Sequence, residues 1–282
     1  MPIESKPYRA DSMNKLELIR NSNHPDPDKP DLLFLHGMSA GAWIWEEQAL
    51  PLFGAGGYRA WALSLSGHGG SPGAGNLHHY GLDQYSNDLA QALDRIERPC
   101  VVIAHSLGGA VAQNLLRRGR QFAGTVLLCS VPPYGIWRAS LEAFWLNPML
   151  WKELVVFSLF GLERTDIDVL RKNLFPGGVD DAVFLRLLDQ AGDESLIAMN
   201  GAIGWPPIAP PPLSQPNMLI IGGMNDTLVP PLDVMLTAAY YGVEPHLLEG
   251  AGHMLMYEPA GHEAAELVLD WLAGLSLGGE SE

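Results

Sequence analysis

The stretch Cys100 to Gln113, CVVIAHSLGGAVAQ, most narrows what this chain can fold into, because it reads as a buried strand that enters a helix through a very tight turn. Cys100 to Ala104 is a short apolar, β-branched run of the kind a covered parallel strand shows, and Leu107 to Leu116 carries helix formers at apolar spacing. Between them stands Ser106. Such a turn forces its central residue into strained backbone angles and admits only small side chains two positions to either side, which Ala104 and Gly108 satisfy. Gly109 then lets the helix approach the sheet closely. An ordinary strand–helix junction with a serine at the helix start fits the same residues, so the rest of the chain has to decide.

Strands and helices alternate on both sides of this turn. Lys15 to Arg20 suits an outer strand, Asp31 to Leu35 a strand ending at His36-Gly37, Trp43 to Leu52 a helix, and Tyr58 to Leu65 a further strand. Asp83 to Ile96 has Tyr85, Leu89, Leu93 and Ile96 on one helical stripe, and Gly124 to Ser130 is another buried strand. The pattern resumes with strands over Met218 to Ile221 and Glu244 to Leu248 and helices over Pro231 to Tyr240 and Glu258 to Leu275. This alternation predicts right-handed crossovers and an α/β fold with a mostly parallel central sheet covered by helices on both faces. Ligands of such sheets lie outside the carboxyl ends of the strands.

From Val131 to Ser214 the strands stop. Apolar helical segments take over: Leu141, Phe144 and Trp145, then Pro148 to Phe160 capped by Asn147, a helix start at Thr165 or Asp168, and Asp181 to Gln190. A strandless stretch of ~80 residues is too long for a loop, so it reads as a helical cap inserted in the sheet domain. The division is 1–130 for the first part of the core, 131–214 for the cap and 215–282 for the rest of the core. Trp137, Phe144, Trp145, Trp151, Phe157 and Phe160 are expected to pack the cap, with some of them lining an apolar pocket. The proline-rich Pro206 to Pro216 is the return, and residues 1–14 and 278–282 are read as loosely held.

A serine hydroxyl needs a general base, and the base needs a third group to fix its tautomer. Asp226, in Gly222-Gly223-Met224-Asn225-Asp226, follows a buried strand, and His253, in Gly250-Ala251-Gly252-His253, follows the next. The order Ser106, Asp226, His253 suits a triad on this kind of sheet. Each has a plainer reading, since Asp226 before Thr-Leu-Val-Pro also fits a helix cap and His253 a loop histidine. The donors for a developing oxyanion are expected to be the backbone N–H groups of Leu107 and Met38. His105 flanks the serine but points away from it, and His68 in its glycine loop is read as a structural hydrogen-bonding group.

The remaining features exclude more than they assign. A formal net charge of −15 opposes nucleic acid and anionic membranes, and no basic cluster relieves it. The adjacent His78 and His79 do not have metal-ligand spacing, and neither a dinucleotide fingerprint nor a Walker lysine follows any glycine loop, so no cofactor and no metal is expected. Cys100 and Cys129 lie in apolar strands and are read as free thiols. The charged N-terminal segment has no signal-like core and no run approaches ~18 apolar residues, which points to a cytoplasmic protein without stable membrane anchoring.

These motifs resemble those of the α/β-hydrolase superfamily, in its form with a helical cap. The resemblance rests on Leu35-His36-Gly37, Gly41-Ala42-Trp43-Ile44-Trp45, the segment Leu63 to Ser71, the Ser106 turn, Gly223 to Asp226 with Pro230, and Gly252-His253. It covers nearly the whole chain outside the cap. Ala104 replaces the usual first glycine, and Ser64 stands where many members have Asp, so no role is transferred to that position. The Gly-Ala-Trp-x-Trp element is similar to that of the esterase and hydroxynitrile lyase branch, and a serine argues against the dehalogenase and epoxide hydrolase branches, which use Asp. The resemblance implies a serine hydrolase for small to medium apolar esters or lactones. A lyase or carbon–carbon hydrolase with the same residues, and a non-catalytic small-molecule receptor on the same fold, are the alternatives.

Overall fold

The computed structural model describes residues 8–9, 15–21, 25–204, 207–209 and 217–275. Most of the N-terminal segment, most of the proline-rich return and the C-terminal tail named above lie outside them; within the segment read as loosely held, Tyr8–Arg9 instead pairs as a short edge strand. Eight strands form a single sheet in the order β1-β2-β4-β3-β5-β6-β7-β8. β1 (Tyr8–Arg9) and β2 (Leu18–Arg20) join antiparallel at one edge. β3 (Asp31–Leu35), β4 (Ala60–Leu63), β5 (Cys100–His105), β6 (Gly124–Leu128), β7 (Met218–Gly223) and β8 (Pro245–Leu248) are parallel.

The central strands are continuously apolar because both of their faces are covered. Leu33, Leu35, Val102, Ala104 and Leu127 face one cluster, packed by α3 (Leu82–Ile96), α4 (Leu107–Arg117) and α10 (Pro231–Tyr241). Their neighbours Leu32, Phe34, Val101, Ile103 and Val126 face the other, packed by α1 (Trp43–Glu46), α2 (Ala49–Ala55) and α11 (Gly261–Ala273). A slip of one residue in any strand would exchange the two faces, so the paired registers and the two cores specify each other.

Between β6 and β7 lie α5 (Trp137–Leu146), α6 (Pro148–Phe160), α7 (Ile167–Leu174), α8 (Asp181–Gln190) and α9 (Leu196–Ile203). Because β6 and β7 are neighbours, this insertion leaves and rejoins the sheet without crossing it. Asn147 caps α6 through the Leu150 amide, with Pro148 at the first helical position, where no N–H is needed.

Several local expectations change. The helix expected over Trp43 to Leu52 is two short ones, because Pro51 is tolerated only in a first turn and the chain restarts at Ala49 to place it there. Asp166, not Thr165 or Asp168, caps α7, its carboxylate accepting from the Asp168 and Val169 amides. The last helix begins at Gly261 instead of Glu258, whose carboxylate is taken by the Gly177 and Gly252 amides. α9 has no counterpart in the expected pattern; Ser195 caps it and its apolar residues run round the helix without a clear stripe. Of the six cap aromatics, Trp137, Phe144, Trp145 and Phe160 are exposed, from 43% to 71%, because α5 turns Ala139 and Ala143 inward and α6 is apolar round most of its surface, so only one face of each is covered.

Candidate active site

Ser106 occupies the junction of β5 and α4 with φ 50° and ψ −118°, a conformation that costs a residue with a side chain on the order of 1–3 kcal/mol. The turn is held from both sides: the Ser106 N–H donates to the Leu128 carbonyl at 3.1 Å, and its own carbonyl accepts from Val131 at 3.1 Å. The need for small neighbours has a steric source. A Cβ on Gly108 would sit 2.4 Å from the His36 carbonyl oxygen, and one on Gly37 would sit 2.9 Å from the Ser106 Cβ.

The loops after β7 and β8 bring Asp226 and His253 to this serine. His253 Nε2 lies 2.8 Å from Ser106 Oγ, and its Nδ1 lies 2.9 Å from Asp226 Oδ2. A carboxylate only accepts, so Nδ1 carries the proton and Nε2 is free to take one from the serine hydroxyl. All three residues are buried, at 9%, 3% and 4% exposure for Ser106, Asp226 and His253. Asp226 also caps the following turn, because its other oxygen, Oδ1, accepts from the Leu228 and Val229 amides at 2.8 and 2.9 Å. One oxygen thus faces the imidazole while the other caps the turn.

The His253 loop is fixed both by a near neighbour and by residues far away in the chain. Glu258 accepts the Gly252 N–H at 2.5 Å, Leu174 from α7 accepts the Met254 N–H at 3.0 Å, and the His253 carbonyl accepts from His105 Nε2 at 2.9 Å. His105 thus points away from the hydroxyl and instead supports the imidazole of His253, with ring centroids 4.9 Å apart. Burial, with His253 beside it, holds the His105 ring down at about 3, so it stays neutral.

Met38 and Leu107 both border the space beside Ser106. Leu107 opens α4, so its amide has no acceptor within the helix. Among the described residues, no acceptor is found for the Met38 amide either. His36 sets the geometry of this turn. It accepts the Leu65 N–H on Nε2 at 3.0 Å, which leaves the proton on Nδ1 to donate to the Gly37 carbonyl at 2.7 Å. Burial pushes its pKa down to about 3 and keeps that tautomer neutral. Ser64, where no role was transferred, accepts the Ala42 N–H at 2.8 Å and donates to Glu17 at 2.7 Å, tying the next stretch of the same loop.

Two chambers diverge from Ser106, His253, Met38 and Leu228. The larger, about 320 Å³, runs under α5, α6 and α9 and carries Ser140, Ser158 and Asn200 among apolar side chains that include Trp151. The smaller, about 150 Å³, is almost wholly apolar, lined by Phe157, Leu170, Phe184 and Leu187. A separate cleft of about 660 Å³ between α2 and α11 is larger than either but includes none of the three polar residues. Contact with Ser106 and His253, not size, singles out the two chambers as the candidate ligand space.

Cys129, Asp226 and His253 place donor atoms within 4.8 Å of one another, a set that could in principle face a cation. The chemistry opposes it. Burial, reinforced by the Asp226 carboxylate, pushes the Cys129 thiol well above its ordinary pKa, and both imidazole nitrogens of His253 are already engaged. Cys100 and Cys129 are both free and buried, and no helix among the described residues is long and apolar enough to cross a membrane.

Residues 32–267 match the model of the Alpha/beta hydrolase family. The chain is 34% identical over 106 residues to a pimeloyl-[acyl-carrier protein] methyl ester esterase of Aromatoleum aromaticum, covering 38% of this chain and 39% of that protein. It is 27% identical over 266 residues to a magnesium-chelatase 30 kDa subunit of Rhodobacter capsulatus, covering 88% of each. The first curated relatives are matched over only 29% to 50% of their own length. Among solved structures, the N-acyl homoserine lactonase AidH superposes with a TM-score of 0.73 at 17% identity, over 99% of this chain and 100% of that one, a likeness of fold.

Proposed function

The chain belongs to the alpha/beta hydrolase family, and from that premise we propose that it is a carboxylic ester hydrolase working through Ser106, His253 and Asp226. The observation that carries this reading is the unbroken line of hydrogen bonds from Ser106 Oγ through the imidazole to the Asp226 carboxylate. His253 Nε2 takes the hydroxyl proton as Oγ attacks the ester carbonyl carbon. The oxygen that becomes negative is received by the Met38 and Leu107 amides. As the intermediate collapses, the imidazolium returns its proton to the departing alcohol, and water then repeats both transfers to release the acid and restore Ser106.

The two chambers match the two sides of an ester carbonyl. A dry cavity of ~150 Å³ holds a group of about the size of benzene, so the smaller chamber suits a short alkyl or phenyl group. The larger receives a longer group, with hydroxyls and an amide to meet a polar atom along it. Small to medium apolar esters, or lactones of similar size, fit this space. A relative named as a methyl ester esterase is consistent with that substrate class. The insertion between β6 and β7 serves, on this reading, as the cap that shapes both chambers.

The test is Ser106→Ala, assayed on p-nitrophenyl esters of graded chain length and by labelling with a fluorophosphonate probe. Turnover should fall by about 10⁴-fold or more, and labelling should disappear. Hydrolysis at an undiminished rate in the folded variant would overturn the assignment.

A further inference from the structure

Glu194 lies in the insertion between α8 and α9, only 4% exposed, and every partner of its carboxylate is fixed. Oε1 accepts the Tyr85 hydroxyl at 2.9 Å and the Ser195 N–H at 2.7 Å. Oε2 accepts from His68 Nε2 at 3.2 Å and from the Ser39 N–H at 3.2 Å. The Ser39 carbonyl in turn accepts the Gly192 N–H at 3.0 Å, so the insertion grips Ser39 by both of its backbone polar groups. Ser39 has φ 63°, a conformation that a residue with a side chain keeps only when its surroundings impose it.

The grip matters because of what precedes Ser39. A peptide unit is planar, so a bond to its carbonyl or N–H orients the plane but leaves it free to pivot about that one bond, and a second bond on the adjoining plane removes the pivot. His36 holds the Gly37–Met38 plane by its carbonyl, and Glu194 holds the Met38–Ser39 plane by its N–H. With both flanking planes fixed, the Met38 N–H cannot swing. One support comes from the sheet domain and the other from the insertion.

A carboxylate this close to a site where negative charge develops would by itself oppose the reaction. His68 removes the difficulty. Its Nδ1 faces the Ser66 carbonyl at 3.3 Å and its Nε2 faces Glu194, both acceptors, so each nitrogen carries a proton and the ring is cationic. The other titratable groups facing it are Tyr85 and Asp88 from α3 and the neutral His36, and of all the titratable groups around it Glu194 is the one that accepts a proton of the ring. We propose that Glu194, neutralised by His68, is a positioning residue that aims the Met38 amide at the developing oxyanion, so that the insertion completes the site.

The proposal rests on the serine ester hydrolase reading, and Ser106→Ala separates the two: if that variant still turns over, the underlying reading fails first. With that control inactive, Glu194→Gln is compared with wild type in kcat and KM on p-nitrophenyl butyrate, per active site titrated with the fluorophosphonate. Misaiming one oxyanion donor should lower kcat about tenfold or more while KM stays within about twofold. His68→Gln, which leaves the carboxylate unneutralised, should lose more kcat than His68→Gln/Glu194→Gln, which leaves no charge behind. A kcat per titrated site within about twofold of wild type in Glu194→Gln, or a double variant slower than His68→Gln, would overturn the proposal.

Discussion

Asp226 divides two tasks between its oxygens, and the division can be measured. Asp226→Asn keeps an oxygen for the Leu228 and Val229 amides but presents the imidazole with the wrong polarity. Its stability to urea should stay near that of wild type while kcat falls by about 10⁴-fold. Asp226→Ala loses the cap as well and should cost about a further 1 kcal/mol of unfolding free energy. If both variants are equally stable, the cap contributes nothing and the tasks are not separable. That Ser106, Asp226 and His253 come together could be read from the sequence because each sits beside a local marker: small residues around Ser106, a strand before Asp226, and glycines before His253. Glu194 has no such marker. Asp193-Glu194-Ser195 looks like a solvated loop, and the partners that bury it, Ser39, His68 and Tyr85, are 109 or more residues away. The same holds for Glu258, whose position just before a helix suggests a first-turn carboxylate, not a support for Gly252.

At the scale of elements, the parallel strands were legible to within about two residues at each end because burial on both faces writes them as apolar runs, whereas at the edge β2 is shorter than the expected Lys15 to Arg20 and β1 was missed. The insertion was legible only as helical. Which face of α6 or α9 turns inward depends on contacts that periodicity does not carry when apolar residues run round most of a helix, and on α5 the large apolar residues turn outward while Ala139 and Ala143 are buried. The two chambers follow from that hidden choice. Ala143 on α5 is 7% exposed and lines the larger one, so Ala143→Phe should fill part of it. Turnover of octanoyl or longer esters should then drop about tenfold relative to acetate esters, whose own rate should stay within a few-fold. A uniform loss across chain lengths would mean that this chamber does not receive the acyl group. The exposed Trp145 on the outer face of the same helix serves as the contrast, since Trp145→Ala should leave the chain-length profile unchanged.

At the scale of the molecule, the buried imidazoles give stability a defined dependence on pH. His36 and His105 have pKa values held down at about 3 in the fold against 6.5 for the free side chain, so below pH 6.5 the unfolded chain binds protons that the fold refuses. At pH 5 each of them should remove about 2 kcal/mol of unfolding free energy relative to neutral pH. Asp88 and Glu258, raised by burial, return part of this by taking up protons in the fold. The His68–Glu194 pair acts at both ends. Burial works against both charges, but their mutual hydrogen bond and attraction prevail, raising His68 and lowering Glu194. The contribution of His68 is therefore full below pH 6.5 and is lost as pH rises through its raised value; that of Glu194 is full above 4.5 and is lost as pH falls through its lowered value. Urea unfolding at pH 7 and pH 5 should show a net loss on acidification, and a flat profile would mean that one of the buried rings is protonated in the fold.

The adjacency of β6 and β7 has a practical corollary for redesign. The pairing of those strands does not itself depend on the length of what is spliced between them, which makes that junction a natural place to transplant a roof from another protein and so change selectivity wholesale. The graft would inherit the insertion's holds on the loops around Ser106: the Leu174 carbonyl that receives the Met254 N–H, and the Glu194 carboxylate. Unless it brings an acid of its own to the backbone beside Met38, the recipient would fold with a well-formed nucleophile and a slack receptor for the charge that nucleophile creates.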